Sequence, residues 1–131
     1  MLRKLVRIGF IGELTLIKFG MRTVQKPWGK EEIWAENPRY VGKYLYINAG
    51  HRLSKQYHER KDETVRVISG TLSLELGREP DHTLVLKPGD SYNVTPLTVH
   101  RFCAYDGDVL LVEVSTPELD DVIRLKDDYS R

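Results

Sequence analysis

The chain has 131 residues, 40% of them apolar and 30% charged, enough for one domain with a core and too few for two ordinary domains. Lys and Arg total 20 against 19 for Asp and Glu, a formal net charge of +1, so no general electrostatic case for nucleic acid exists. A single cysteine, Cys103, excludes an intrachain disulfide and fits a reducing, cytoplasmic setting.

In chain order, Leu2 to Gly20 begins basic and turns apolar, but Arg7, Glu13 and Lys18 interrupt the run. It falls short of the roughly 20 apolar residues that span a bilayer, and no small-x-small cleavage pattern follows. Residues 1–22 read as an N-terminal extension with an extra strand around Leu14–Phe19, or as residues upstream of a start at Met21. Residues 23–131 read as one domain. Its predicted strands are Glu31–Ala35, Tyr40–Asn48, Thr64–Ser69, Thr71–Leu76, His82–Leu86, Ser91–Val94, Val99–Tyr105 and Asp108–Ser115. The clearest is Thr71–Leu76, where Leu72, Leu74 and Leu76 alternate with polar residues. Turn signals separate the strands: Asn48-Ala49-Gly50, Ser69-Gly70, Glu79-Pro80-Asp81, Lys87-Pro88-Gly89-Asp90 and Tyr105-Asp106-Gly107-Asp108. Many short strands at this spacing predict an antiparallel sandwich or barrel. The tail, Pro117–Arg131, reads as a solvated charged segment that packs Val122, Ile123 and Leu125 onto the body.

Four residues stand out as metal ligands. Gln56 and His58 are two apart and share a face if the segment is a strand. Glu63 starts the next strand; pointing inward, it precedes Val65 and Val67 into the core, while Thr64 and Arg66 face out. An inward carboxylate is costly unless compensated, and a divalent cation compensates it. Alternation also turns His100 inward with Phe102 and Ala104, and Arg101 and Cys103 the other way. One amide oxygen, two imidazoles and one carboxylate suit one divalent transition metal: Zn, Mn, Fe, Co or Ni.

This spacing resembles the cupins. Gly50, Gln56, His58, Glu63 and Gly70 fall in register with the first cupin motif, and Gly89 and His100 with the second. In the second motif Thr95 stands at the proline position, Leu97 at the glycine and Ala104 at the asparagine. A narrower resemblance is to the type II mannose-6-phosphate isomerase cupins. Lys26-Pro27-Trp28-Gly29, Leu53-Ser54-Lys55-Gln56-Tyr57-His58, Glu113-Val114 and the ending Asp121–Arg131 carry it, over Lys26 to Arg131. Gln56 is a feature of that family; Lys61, Val65 and Ser130 stand where arginine, tryptophan and glycine are usual. The resemblance implies an all-β double-stranded β-helix, a jelly-roll barrel. Many relatives also carry a nucleotidyltransferase that makes GDP-mannose; this sequence has no glycine-rich nucleotide loop, so that activity is not expected of it.

The implied activity is interconversion of mannose 6-phosphate and fructose 6-phosphate. It needs a Lewis acid, a base and cations for the phosphate. The phosphate candidates are Arg60, Lys61, Arg124 and Arg131. No residue is singled out as the base. The alternatives are a metal-binding cupin of other chemistry, an epimerase or dioxygenase, and a non-catalytic sugar-binding module. The expected partner is a small phosphorylated sugar, with neither nucleic acid nor membrane. A homodimer is expected too, since Leu14–Phe19 can cover an open sheet edge by pairing with a second copy. His51 and His82 read as turn or surface residues, Cys103 as a packing thiol, and Trp28 and Trp34 as core or interface aromatics.

Overall fold

A computed structural model describes residues 4–7 and 14–17 as strand backbone, and residues 22–79 and 82–131 in full. No helix occurs among the described residues. The strands are β1 (Lys4–Arg7), β2 (Leu14–Ile17), β3 (Arg22–Lys26), β4 (Gly29–Glu36), β5 (Val41–Ile47), β6 (Lys55–Tyr57) and β7 (Glu63–Ser69). They continue with β8 (Leu72–Leu76), β9 (His82–Leu86), β10 (Ser91–Val94), β11 (His100–Cys103), β12 (Val109–Ser115) and β13 (Ile123–Lys126).

Two antiparallel sheets form the body, in the orders β10-β7-β12-β5-β4-β3 and β13-β6-β11-β8-β9. Alternation explains which side of each strand is inside. Glu63, Val65 and Val67 of β7 are buried, as are Val109, Leu111 and Glu113 of β12, while Arg66, Ile68 and Val114 are exposed. The core lies between the sheets around Trp28, Leu45, Ile47, Val65, Leu72, Leu74, Phe102 and Leu111. Each such side chain contributes about 1.5–3 kcal/mol on burial. At the β7–β8 turn, Gly70 has φ +81°, and a Cβ there would lie 2.2 Å from the Asp108 carbonyl oxygen, so only glycine closes this turn.

All eight strands expected from residue 31 onward are present, β9 and β10 with the expected ends and the other six with shifted ends; Val99–Tyr105 contracts to β11. Three strands of the body carry too little apolar periodicity to be predicted. β3 and β13 are charged strands at the outer edges of their sheets, where water replaces one neighbour. β6 has only three residues. The tail is therefore structured rather than merely draped: β13 pairs with β6, and Leu125 is exposed. Within the N-terminal segment, β2 covers part of the strand expected at Leu14–Phe19, and it pairs with β1 of the same chain. Lys18, Phe19, Met21, Pro80 and Asp81, on which parts of that strand, the alternative start and one turn were placed, lie outside the described residues.

Candidate metal centre

His58, Glu63 and His100 meet at the inner face of the barrel, each offering a ligand atom within 4.8 Å of the others. All three are buried. His58 follows β6, Glu63 opens β7 and His100 opens β11, so three strand ends converge. Glu63 Oε2 is 3.5 Å from His58 Nε2, and its Oε1 is 3.4 Å from His100 Nε2. Each ring is held from behind. His58 Nδ1 donates to the Asp121 carbonyl at 2.6 Å, and His100 Nδ1 to the Thr98 carbonyl at 2.8 Å. Carbonyl oxygens only accept, so the proton sits on Nδ1 and the Nε2 lone pair faces the cluster. Both Nε2 atoms are buried with no hydrogen-bond partner. Two orphaned imidazole lone pairs flanking a carboxylate fit a divalent metal of the zinc or manganese type. Gln56 lies directly across from His100 in the β6–β11 pairing, so both share the inner face. Its Oε1 accepts from Ser54 Oγ at 2.6 Å and retains a second lone pair.

The carboxylate also heads a chain of alternating charges. Lys61 Nζ stands 2.8 Å from Glu63 and 3.4 Å from Glu113; Lys43 Nζ stands 3.6 Å from Glu113 and 3.0 Å from Glu31. Burial pushes the Glu63 carboxyl up, but the close polar neighbours, the Lys61 ammonium among them, outweigh it and hold it well below the usual range. Burial depresses Lys61, and Glu113 and Glu63 more than reverse this. Glu113 moves the other way: burial and the Glu63 charge raise it against the pull of Lys43 and Lys61.

The loop between β6 and β7 is shaped by Asp121 of the tail. Its carboxylate accepts the backbone amides of Glu59, Arg60 and Lys61 at 2.7–3.0 Å. These bonds hold its carboxyl down at about 2. One tail residue thus fixes both the His58 ring, through its carbonyl, and the loop leading to Glu63. Farther along, Asp128 bridges Arg52 and the buried Arg101, and Tyr129 packs on the core.

A cavity of about 430 Å³ opens beside the cluster, lined by Gln56, His58 and Lys61 together with Arg22, Lys26, Glu31, Lys43, Arg124 and Arg131. Of the four phosphate candidates, Lys61, Arg124 and Arg131 reach it. Arg60 lines a neighbouring cavity with Glu59, Glu118, Asp120 and Asp121 instead. Lys61 spends its charge on two buried carboxylates, Arg131 pairs with Asp127 at 2.9 Å and Arg22 with Glu36 at 2.9 Å. Lys26 and Arg124 have no ion-pair partner among the described residues. The sequence reading missed Lys26, Glu31, Lys43 and Glu113; only strand pairing reveals that they gather here. Elsewhere, His51 is half-buried and bonds Tyr129 Oη at 2.8 Å, and burial pushes the Cys103 thiol up to about 11, that of an inert packing group.

The sequence profile of the family described as Mannose-6-phosphate isomerase C-terminal matches residues 17–127. Among curated proteins, the Alginate biosynthesis protein AlgA of Pseudomonas aeruginosa is 32% identical over 82% of this chain. Mannose-1-phosphate guanylyltransferase 2 of Escherichia coli O157:H7 is likewise 32% identical over 82% of the chain. In both, the match covers 23% of the relative, so this chain spans under a quarter of their length. Among solved structures, KdgF from Halomonas sp. superposes with a TM-score of 0.66 at 25% identity, over 76% of this chain and 89% of that one. An RmlC-like cupin from Shewanella frigidimarina gives a TM-score of 0.65 at 16% identity, over 92% and 97%.

Proposed function

Because the chain belongs to the mannose-6-phosphate isomerase C-terminal family, we propose that it is a metal-dependent isomerase of a phosphorylated aldose and ketose, with mannose 6-phosphate and fructose 6-phosphate as the pair. The observation that carries this reading is the pairing of two orphaned imidazole nitrogens with a cation-lined cavity. Gln56, His58, Glu63 and His100 would hold one divalent transition metal. When bound, such a metal supplies a Lewis acid that polarises the sugar's carbonyl and neighbouring hydroxyl.

The chain's own residues do the rest. Lys26 and Arg124 hold the phosphate, being cations of the cavity without an internal acid. Arg131 adds to this grip from its pair with Asp127. Lys61, fixed between Glu63 and Glu113 at the cavity wall, holds the Glu63 carboxylate in place. Two acids, Glu31 and Asp120, line the cavity; Glu31, whose Oε2 faces Lys43, moves the proton between the adjacent carbons. A second reading has one observation in its favour: the Lys61 ammonium already sits 2.8 Å from Glu63, where a metal would otherwise balance the charge. In that case the domain is a metal-free sugar-phosphate-binding module.

Steady-state kinetics on three variants test the assignment. Arg124→Glu is expected to raise KM for mannose 6-phosphate at least tenfold, and more than Arg131→Glu does, with metal content unchanged. Glu31→Gln is expected to lower kcat about 100-fold or more with little change in KM. Equal kinetics in all three variants would remove both roles.

A further inference from the structure

Another cavity, of about 370 Å³, lies on the side of the five-stranded sheet that faces away from the His58, Glu63 and His100 cluster. Strand alternation builds it. Gln56 and His100 turn inward, so their chain neighbours Lys55 of β6 and Arg101 of β11 turn outward. Pairing sets Glu75 of β8 opposite Arg101, and Lys126 of β13 opposite Lys55. Arg52 enters beside β11, where it bridges Cys103, and Arg78 enters just after β8. Five cations thus line one recess. Glu75 and Glu79 are the acids of its wall, and Asp128 stands between Arg52 and Arg101. Five positive charges against three negative leave an excess of two among the described residues.

That excess is concentrated on three side chains. Glu75 accepts from the Tyr105 hydroxyl at 2.8 Å, and Asp128 serves both Arg52 and Arg101. Lys55, Arg78 and Lys126 have no ion-pair partner among the described residues. Lys55 Nζ donates to a neutral group, the Arg78 carbonyl. Lys55 and Lys126 are direct cross-strand partners, and like charges placed so destabilise a sheet unless something lies between them. Arg101 is 2% exposed, with its guanidinium fixed by the Leu53 carbonyl at 2.8 Å and Asp128 at 3.0 Å. Neither bond uses Nη1, so a rigidly mounted charged donor is left over in a residue that lines the recess.

We propose that this recess is a second oxyanion site, built for a phosphate group that carries two negative charges. Such a group matches the excess of two, and a tetrahedral oxyanion offers enough oxygens to take the Arg101 fork and the Lys55 and Lys126 ammonium groups together. Phosphate is mostly in that form above its second pKa of about 6. Placed between the two lysines, it turns their repulsion into a bridge across the β6–β13 pair. The cavity volume falls in the range of small-molecule sites, with room for a phosphorylated sugar as well as for free phosphate. The recess backs onto the cavity beside the His58, Glu63 and His100 cluster. β6 sends Lys55 to one and Gln56 to the other, and β13 divides Lys126 and Arg124 in the same way. The site stands on its own whatever reaction the other cavity performs.

Isothermal titration calorimetry of the full chain with inorganic phosphate, at constant ionic strength, tests it. Arg124→Glu removes a cation of the other cavity and is expected to leave one phosphate bound per chain. Adding Lys126→Glu or Arg78→Glu, both at exposed positions, is expected to raise the dissociation constant at least tenfold. Lys126→Gln gives a readout that a merely structural lysine would not. In the Arg124→Glu background and without phosphate, it removes the cross-strand repulsion, so the melting temperature is expected to hold or rise. Added phosphate should then raise the melting temperature of Arg124→Glu but not that of the double variant. Displacement of the bound phosphate by mannose 6-phosphate would identify a phosphomonoester as the occupant, and no displacement would identify free phosphate. Three results would overturn the proposal: no phosphate bound by Arg124→Glu, binding indifferent to both Lys126→Glu and Arg78→Glu, or a phosphate-induced rise in melting temperature that survives Lys126→Gln in full.

Discussion

Leu97 occupies a position that glycine holds in the family's second motif, and its backbone has φ 69°. It keeps the glycine conformation because its amide donates to the His58 carbonyl at 2.7 Å, which ties the turn to the cluster of His58, Glu63 and His100. A left-handed conformation costs an L residue about 1–2 kcal/mol, and glycine gives back about 0.5–1 kcal/mol through its freer unfolded chain. The side chain is 67% exposed, so little packing would be lost. Leu97→Gly is therefore expected to stabilise the protein by about 0.5–1 kcal/mol in thermal denaturation, with metal affinity unchanged; a lower melting temperature would show that the turn is not strained. Lys61 offers the opposite case. Lys61→Met strips Glu63 and Glu113 of a buried partner and is expected to cost about 3 kcal/mol or more. A divalent metal then becomes the remaining compensation for Glu63, so added metal should raise the melting temperature of this variant more than that of the wild type. Equal shifts in the two proteins would mean that Glu63 is not a ligand.

At the scale of elements, the tail controls the site. Asp121 clamps the β6–β7 loop with its carboxylate and orients His58 with its carbonyl. Its folded value of about 2 lies below the ~3.9 of an unfolded aspartate. The ionised form therefore stabilises the fold above about pH 4, and that contribution is lost as pH falls through 2. Asp121→Asn is expected to flatten this acid limb of the stability curve and to weaken metal binding about tenfold, since groups behind a ligand set its orientation. An unchanged acid limb would leave the clamp without energetic weight. The inward residues His58, Glu63 and His100 could be read from alternation because period-two patterning decides the face of each strand. Asp121 could not, because its role depends on a pairing sixty residues away, between β13 and β6, that leaves no local pattern. The same holds for Lys43 and Glu113, which meet only because β5 and β12 run side by side in one register. Edge strands β3 and β13 escaped notice for the related reason that their charged sequences serve solubility on one side.

The whole molecule combines a barrel that gathers His58, Glu63 and His100 at converging strand ends with a cation-lined cavity beside them. No helix among the described residues is long and apolar enough to cross a membrane. The jelly-roll expectation holds because strand alternation, turns and the two spaced motifs all depend on local sequence. The chemistry is less local: its cations come from β3, β5, β13 and the loop after β6, and only the assembled cavity shows which of them remain unpaired. The most direct test of the account is turnover of mannose 6-phosphate to fructose 6-phosphate by protein stripped with a chelator and then titrated with a divalent transition metal. The account predicts no turnover in the stripped protein and full recovery at one equivalent of metal, with no recovery in His58→Ala or His100→Ala. Turnover that survives stripping, or fails at every metal concentration, would contradict it.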